Sequence, residues 1–371
     1  MKVGVLTSSR ADFGIYLPLL KKMQEDDFFN LEIIAFGTHL SSFYGETVNE
    51  IKRNGFEVNH TVESMLLTDS PNAIASAIGL TVLKFADFWK ANQSTFDLVF
   101  CLGDRYEMFA AVTAGIPFQI AFAHIHGGET TLGAIDNVFR HAITLASTYH
   151  FVATDLYANR VAELTSSTDN IYHVGALGLD NIADLTLLTV EEFKGEWSID
   201  LNKKTILTTF HPETVALEKN ESYALELVNA IKLLDDYQFL ITMPNADTSG
   251  NLIRKQLIDN FSQSDRVFLI ENLGSKSYFS AMKHCSFLLG NTSSGIIEAA
   301  SFGKYVINLG DRQKGRAAGE NVINCQIKAA PIISLVNTIR HNLVFKGKNI
   351  YYKPETADQV LKILKSIFNA K

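Results

Sequence analysis

Cysteine is scarce. The 371 residues contain three, at Cys101, Cys285 and Cys325, far apart and without CxxC spacing. That excludes a disulfide framework and a cysteine-based zinc site, and a reducing cytoplasm is the expected compartment. Proline is also sparse, at 7, against 23 glycines, with 47% apolar and 20% charged residues. Such a composition excludes a disordered, collagen-like or low-complexity chain. There is no excess of positive charge: 33 Lys and Arg stand against 40 Asp and Glu, a net charge of −7. A general nucleic-acid or anionic-membrane binder is thereby excluded, and an anionic ligand must be met by a local basic cluster. Long hydrophobic runs are missing too. The longest uncharged apolar stretch, 108–123, is interrupted by Gly115, Pro117 and Gln119 and falls short of the ~20 residues of a membrane span. The opening apolar piece before Thr7–Arg10 is too short for a signal peptide. Three motifs are absent as well: the P-loop GxxxxGK[ST], a GxGxxG after the first strand and the GxSxG nucleophile elbow.

What is present is alternation. Short apolar runs at 3–6, 31–36, 96–102, 118–124 and 150–153 read as strands, separated by helical segments such as 16–25 and 136–147. The pattern restarts with strands at 205–209, 238–242, 267–270, 287–289 and 305–308 and a helix over 222–234. Strands alternating with helices predict βαβ units and parallel sheets covered on both faces. The expected organisation is an N-terminal domain over 1–180 and a C-terminal domain over 181–355. A last helix from about Thr356 could return to the first domain, and the linker falls near 178–202, where no strand is visible. Ligands of such folds sit at the carboxyl ends of the strands. Seven polar clusters each follow a strand: Ser8–Asp12, Thr38-His39, Gly103–Arg105, His126–Glu129, His211–Glu213, Asn245–Asp247 and Asn291–Ser294. Clusters from both halves are expected to face one inter-domain cleft.

Several of these residue types have a defined chemistry. The Gly290–Gly295 turn enters a helix with free backbone N–H groups and the hydroxyls of Thr292, Ser293 and Ser294, an anion site or a plain N-cap. Arg312 and Arg316 add cations after the next strand, and the combination points to a diphosphate. Glu298, four residues past Ser294, can accept both hydroxyls of a ribose or lie solvated on its helix. Asp104 and Arg105 put opposite charges at a strand end, for chemistry or for a local ion pair, and Asp136 opens a helix that ends in Arg140-His141. His124 and His126, two apart on a strand with Glu129 nearby, match metal-ligand spacing, but hydrogen bonding to ligand or backbone is the preferred reading, with no metal and no cofactor.

The ordered set of motifs resembles the UDP-N-acetylglucosamine 2-epimerase family, in its hydrolysing branch that forms N-acetylmannosamine for sialic-acid-type sugars. The matching pieces are Ser9–Gly14, Gly103–Glu107, His124–Glu129, Asp136–Thr144, Phe210–Thr214, Asn245–Asp247, Gly290–Gly295 with Glu298, and Asn308–Arg316. The resemblance implies a GT-B-like fold of two Rossmann-like domains and an enzyme that converts UDP-GlcNAc and water to N-acetylmannosamine and UDP. Elimination of UDP to a 2-acetamidoglucal comes first, followed by hydration, with no metal or nicotinamide. It implies acid–base roles for Asp104 and Asp136 and a catalytic place for His211 beside the diphosphate, with His126 and Glu129 sharing proton transfer in an undecided way, because some hydrolysing members carry Glu where His126 stands. Contacts to UDP or sugar are implied for Arg10, Asp12, His39, Arg105, Asn245, Asp247, Thr292, Ser293, Ser294, Glu298 and Arg312. A small-molecule nucleotide sugar is the expected partner, and a homodimer or homotetramer the expected assembly. The Phe-His-Pro-Glu-Thr and Asn-Ala-Asp stretches look more like enzymes of UDP-GlcNAc than of UDP-N,N′-diacetylbacillosamine. The competing readings are that second hydrolysing epimerase, a GT-B glycosyltransferase, a non-hydrolysing epimerase and a nucleotide-sugar sensor without turnover.

Overall fold

The computed structural model describes residues 1–66, 70–244, 250–339 and 343–369. The chain divides into two compact units, and neither is continuous in sequence. The first comprises Met1–Glu129, Asp136–Ala183 and Tyr351–Lys371; the second comprises Thr130–Ile135 and Asp184–Ile350.

Among the described residues the first unit holds a seven-stranded sheet of β1 (Lys2–Thr7), β2 (Asn30–Phe36), β3 (His60–Val62), β4 (Leu98–Leu102), β5 (Phe122–Ile125), β6 (Tyr149–Val152) and β7 (Ile171–His173). Their order is β3-β2-β1-β4-β5-β6-β7, and every pairing is parallel. Side chains alternate between faces with period two, and both faces of this sheet are buried. Val3, Val5, Leu98 and Phe100 pack with Phe13 and Tyr16 of helix Arg10–Gln24 and with Val360 and Leu364 of helix Thr356–Phe368. Leu6, Val99 and Cys101 point the other way, onto Phe85 and Trp89 of helix Pro71–Asn92. Continuous apolar strands with no polar face are the consequence.

The second unit repeats the arrangement with β8 (Thr205–Thr209), β9 (Gln238–Thr242), β10 (Val267–Ile270), β11 (Phe287–Gly290), β12 (Val306–Leu309) and β13 (Val322–Cys325). Their order is β10-β9-β8-β11-β12-β13, again parallel throughout. Ile206, Phe239, Ile241 and Leu289 enter one core, and Leu207, Leu240, Leu288 and Val306 the other.

Two expectations need correction. The strand expected over 118–124 begins only at Phe122, because Pro117 lies in a 3-10 turn (Ile116–Phe118) and Gln119 has a positive φ of 55°. The segment read as linker contains helices Gly178–Asp184 and Val190–Trp197, the second closed by a capping box between Thr189 and Glu192. All three cysteines are free and buried. Burial pushes the Cys101 and Cys285 thiols up to about 12, so both are inert. No helix among the described residues is long and apolar enough to cross a membrane.

Candidate active site

In the first unit the carboxyl ends of β4 and β5 carry a charged cluster centred on Arg140. This arginine is 3% exposed. Its Nη2 donates to Asp104 Oδ2, its Nη1 donates to the backbone carbonyl of His126 at 2.9 Å, and Nη1 lies 3.7 Å from Glu129 Oε2. Glu129 is 1% exposed, and its Oε1 lies 2.7 Å from His126 Nδ1. Buried charge is tolerated only when paired, and one guanidinium here answers two carboxylates. Asp136 begins helix Asp136–Ala146 one turn before Arg140, so the two share a helix face. The Gly127-Gly128 pair lets the chain turn tightly between the histidine and the glutamate. Gly128 has φ +74°, and a Cβ there would lie 2.6 Å from the carbonyl oxygen of Tyr157.

His124 lies behind this cluster and is fully buried. Its Nε2 bonds the Gly103 carbonyl at 2.9 Å, and its Nδ1 lies 3.1 Å from Thr144 Oγ1. Desolvation lowers it to about 3, so it is neutral and braces the residue before Asp104. With both ring nitrogens engaged, it is not disposed to bind a metal with His126. Among the described residues no cluster of three or more His, Cys, Asp and Glu has metal-binding geometry.

The other expected residues of this unit divide. Arg10 is exposed at the first turn of its helix. Asp12 is buried and accepts from Thr7 Oγ1, Ser8 N, Ser8 Oγ, Ser9 N and Phe13 N at 2.8–2.9 Å, so its carboxylate braces the loop after β1. His39 is fully buried between Thr7 Oγ1 and Thr47 Oγ1, at 2.9 and 2.8 Å. Thr7 donates its proton to Asp12, so it accepts from His39 Nε2–H, and Thr47 donates to Nδ1. Burial lowers His39, with Asp12 opposing, and the ring serves the scaffold. Arg105 is paired with buried Glu107 at 2.9 Å.

In the second unit three strand-end loops are joined by one buried side chain, Asn291. Its Oδ1 accepts from the His211 N–H at 2.7 Å, its Nδ2 donates to the His211 carbonyl at 2.8 Å, and its own carbonyl accepts from Gln313 Nε2 at 2.8 Å. The loop after β8, the turn after β11 and the loop after β12 are thus held together. Glu213 adds a further tie: its Oε1 accepts the Asp311 N–H at 2.7 Å. Arg312 Nη1 donates to the Pro212 carbonyl at 3.3 Å. Gly310, at φ +71°, is required there, because a Cβ would come 2.3 Å from Glu213 Oε1. Thr292 caps the short helix Ser293–Ile297, and Glu298 closes it. Tyr278 lines a small cavity with Thr209, Gly290 and Thr292, and desolvation pushes its hydroxyl up to about 12. The segment Thr130–Ile135 lies on the same loops: Leu132 N–H donates to the Lys314 carbonyl at 2.9 Å, and Ile135 N–H donates to Thr214 Oγ1 at 3.1 Å. Asn245 and Asp247 lie outside the described residues.

Arg140, Asn291, Glu213 and Tyr278 are the residues that motif reading left without a role. Arg140 sits four residues after Asp136, a helical spacing that marks the shared face. No sequence signal distinguishes Asn291 from an ordinary turn asparagine.

Two α/β units, each with a wholly parallel sheet and polar loops at the strands' carboxyl ends, define a GT-B-like α/β protein. The fold matches the crystal structure of UDP-GlcNAc 2-epimerase from Neisseria meningitidis bound to UDP-GlcNAc, with a TM-score of 0.83 over 99% of this chain and 100% of that one, at 18% identity. The sequence model of the UDP-N-acetylglucosamine 2-epimerase family matches residues 21–365, and the chain belongs to that family of enzymes. It is 34% identical, over 99% of its length and 96% of the relative's, to UDP-N,N′-diacetylbacillosamine 2-epimerase (hydrolyzing) of Legionella pneumophila. It is 31% identical to polysialic acid biosynthesis protein P7 of Escherichia coli, over 100% of this chain and 95% of that one.

Proposed function

We propose that this protein is a hydrolysing 2-epimerase of a UDP-2-acetamido sugar, converting UDP-GlcNAc and water to N-acetylmannosamine and UDP. The observation that carries this reading is the gathering of Asp104, His126 and Glu129 around Arg140 at adjacent strand ends. A glycosyltransferase needs to stabilise a leaving diphosphate; it has no use for several proton-transfer groups beside C2. The C2 proton is not acidic, so its removal must be coupled to departure of the diphosphate from C1. The reaction therefore asks for a base, for cations or N–H donors on the leaving group, and for an acid to return a proton. In this reading Asp104, Asp136, His126 and Glu129 serve the proton transfers. Arg312, with His211, Thr292, Ser293 and Ser294, serves the diphosphate, and Glu298 serves the ribose hydroxyls. Arg10 and Arg105 add positive charge for the phosphates in the same proposal, and no cofactor is required.

A second form of the same reaction has its own support. The Legionella relative, and a Campylobacter jejuni relative 32% identical over 88% of this chain and 84% of its own length, carry names that specify N,N′-diacetylbacillosamine nucleotides. That sugar differs from GlcNAc at C4 and C6, away from the reacting carbons. The test is incubation with each nucleotide sugar and no acceptor. UDP release and the sugar's configuration by NMR identify the activity and the preferred substrate. Release from neither, with tight UDP binding, would make the protein a sensor instead.

A further inference from the structure

His126 ends β5 in a left-handed backbone conformation, φ +63°, which a residue with a Cβ rarely adopts. Its surroundings hold it there. The His126 N–H donates to the Phe151 carbonyl at 3.1 Å, and its carbonyl accepts from Arg140 Nη1 at 2.9 Å. Such conformations persist where the neighbouring structure over-determines them, and they cluster at functional sites. The side chain is fixed as well. Nδ1 lies 2.7 Å from Glu129 Oε1, while Glu129 Oε2 faces Arg140 at 3.7 Å. A carboxylate beside a guanidinium offers only lone pairs, so the proton in the His126–Glu129 bond belongs to Nδ1. A neutral imidazole with its proton on Nδ1 carries a lone pair on Nε2. Among the described residues Nε2 takes no hydrogen bond, and the side chain keeps 9% of its surface open, against 2% for Glu129.

We propose that His126, through Nε2, is the base that lifts the C2 proton, and that Glu129 is a positioning residue that sets the imidazole's tautomer. This assignment rests on the hydrolysing-epimerase reading and divides the work between two residues that the motif alone leaves equivalent. In the step, the C2–H bond breaks and its proton binds Nε2. The C2–H electron pair becomes the C1=C2 π bond, and the C1–O bond breaks with its electrons leaving on UDP. The imidazolium so formed is answered by the Glu129 carboxylate. Glu129 cannot take this part itself: it is sequestered, with one oxygen on His126 and the other facing Arg140. The same division, an oriented imidazole as base and a buried carboxylate as orienter, governs other acid–base sites.

Glu129→Gln separates the roles. A glutamine amide donates to Nδ1 and turns the ring proton to Nε2, which removes the base without removing the hydrogen bond. We expect kcat to fall ~10²–10⁴-fold while UDP affinity stays within about twofold. The ¹⁵N signals of the His126 ring should report Nδ1–H in the wild type and Nε2–H in the variant. His126→Ala should lose kcat to the same extent and regain ~10-fold with added imidazole, and this variant carries the test if Glu129→Gln does not fold. Near-wild-type kcat in either folded variant, or Nε2–H in the wild type, overturns the assignment. A wild-type protein that releases no UDP from either nucleotide sugar overturns the underlying reading as well, and the two failures are thereby told apart.

Discussion

Single residues divide into those whose position the sequence betrays and those whose role needs the fold. Asp104 belongs to the first kind: a carboxylate directly after an apolar strand and a glycine can only lie at a strand end. Asp104→Asn is expected to lower kcat ~10²-fold or more, the usual scale of general acid–base catalysis, with UDP affinity near normal in a direct binding titration. Unchanged turnover would leave Asp104 as nothing more than the partner of Arg140. In the proposed reading Glu298 serves the ribose hydroxyls. Glu298→Ala should raise KM by about 10- to 150-fold, the ~1.5–3 kcal/mol of a hydrogen bond to a charged group, and leave kcat close to wild type; an unchanged KM removes it from the ribose. Arg140, Asn291 and Tyr278 belong to the second kind. Arg140 and Asn291 bond to residues 36 and 80 positions away, Asp104 and His211, and Tyr278 shares a cavity wall with Thr209; spacing along the chain encodes no such contact. Asp12 and His39 show the converse. Both follow strand ends, yet their polar atoms are occupied by neighbours in the scaffold.

At the scale of elements, strands were more legible than helices. A strand buried on both faces leaves a short apolar run, and the runs at 205–209, 238–242 and 267–270 coincide with β8, β9 and β10. Helix Pro71–Asn92 is not legible in the sequence, because a surface helix with so many small and apolar residues lacks a clear polar stripe. Helix Val190–Trp197 has a readable start in Thr189-Val-Glu-Glu192, but its 8 residues are too few to show a helical period. β5 and β6 have a consequence for acid stability. His124 and His150 are register partners in the sheet, and burial lowers them to about 3 and about 4. The unfolded chain protonates both near pH 6.5 and the folded chain does not, so below that pH the unfolded state binds more protons. Stability is therefore complete above about pH 6.5 and declines as pH falls, with a slope of up to ~1.4 kcal/mol per pH unit per histidine. Thermal unfolding at pH 7 and pH 5 should show a lower midpoint at pH 5, and a smaller loss in His150→Gln; equal midpoints would mean the histidines are solvated. The loops of the second unit make a separate claim. Asn291→Ala orphans the buried N–H and carbonyl of His211, at a cost of ~1–3 kcal/mol for each unsatisfied group, and urea unfolding should register that loss; a variant as stable as the wild type would show that water replaces the amide.

For the whole molecule, the two parallel sheets follow from the restart of the strand–helix pattern after 205, and the ordered motifs lead to the epimerase family. The interleaving of the units was not legible. Nothing in the composition of 130–135 marks these residues as part of the second unit, though they stand between Glu129 and Asp136 of the first. The central claim is that the chain catalyses hydrolysis with inversion at C2 through an exchangeable proton. Turnover of UDP-GlcNAc and of UDP-N,N′-diacetylbacillosamine in deuterated water, without acceptor, tests it most directly. The account predicts free UDP and a released sugar inverted at C2, carrying one deuterium on that carbon. A released sugar that keeps its C2 configuration or its original C2 hydrogen would contradict it.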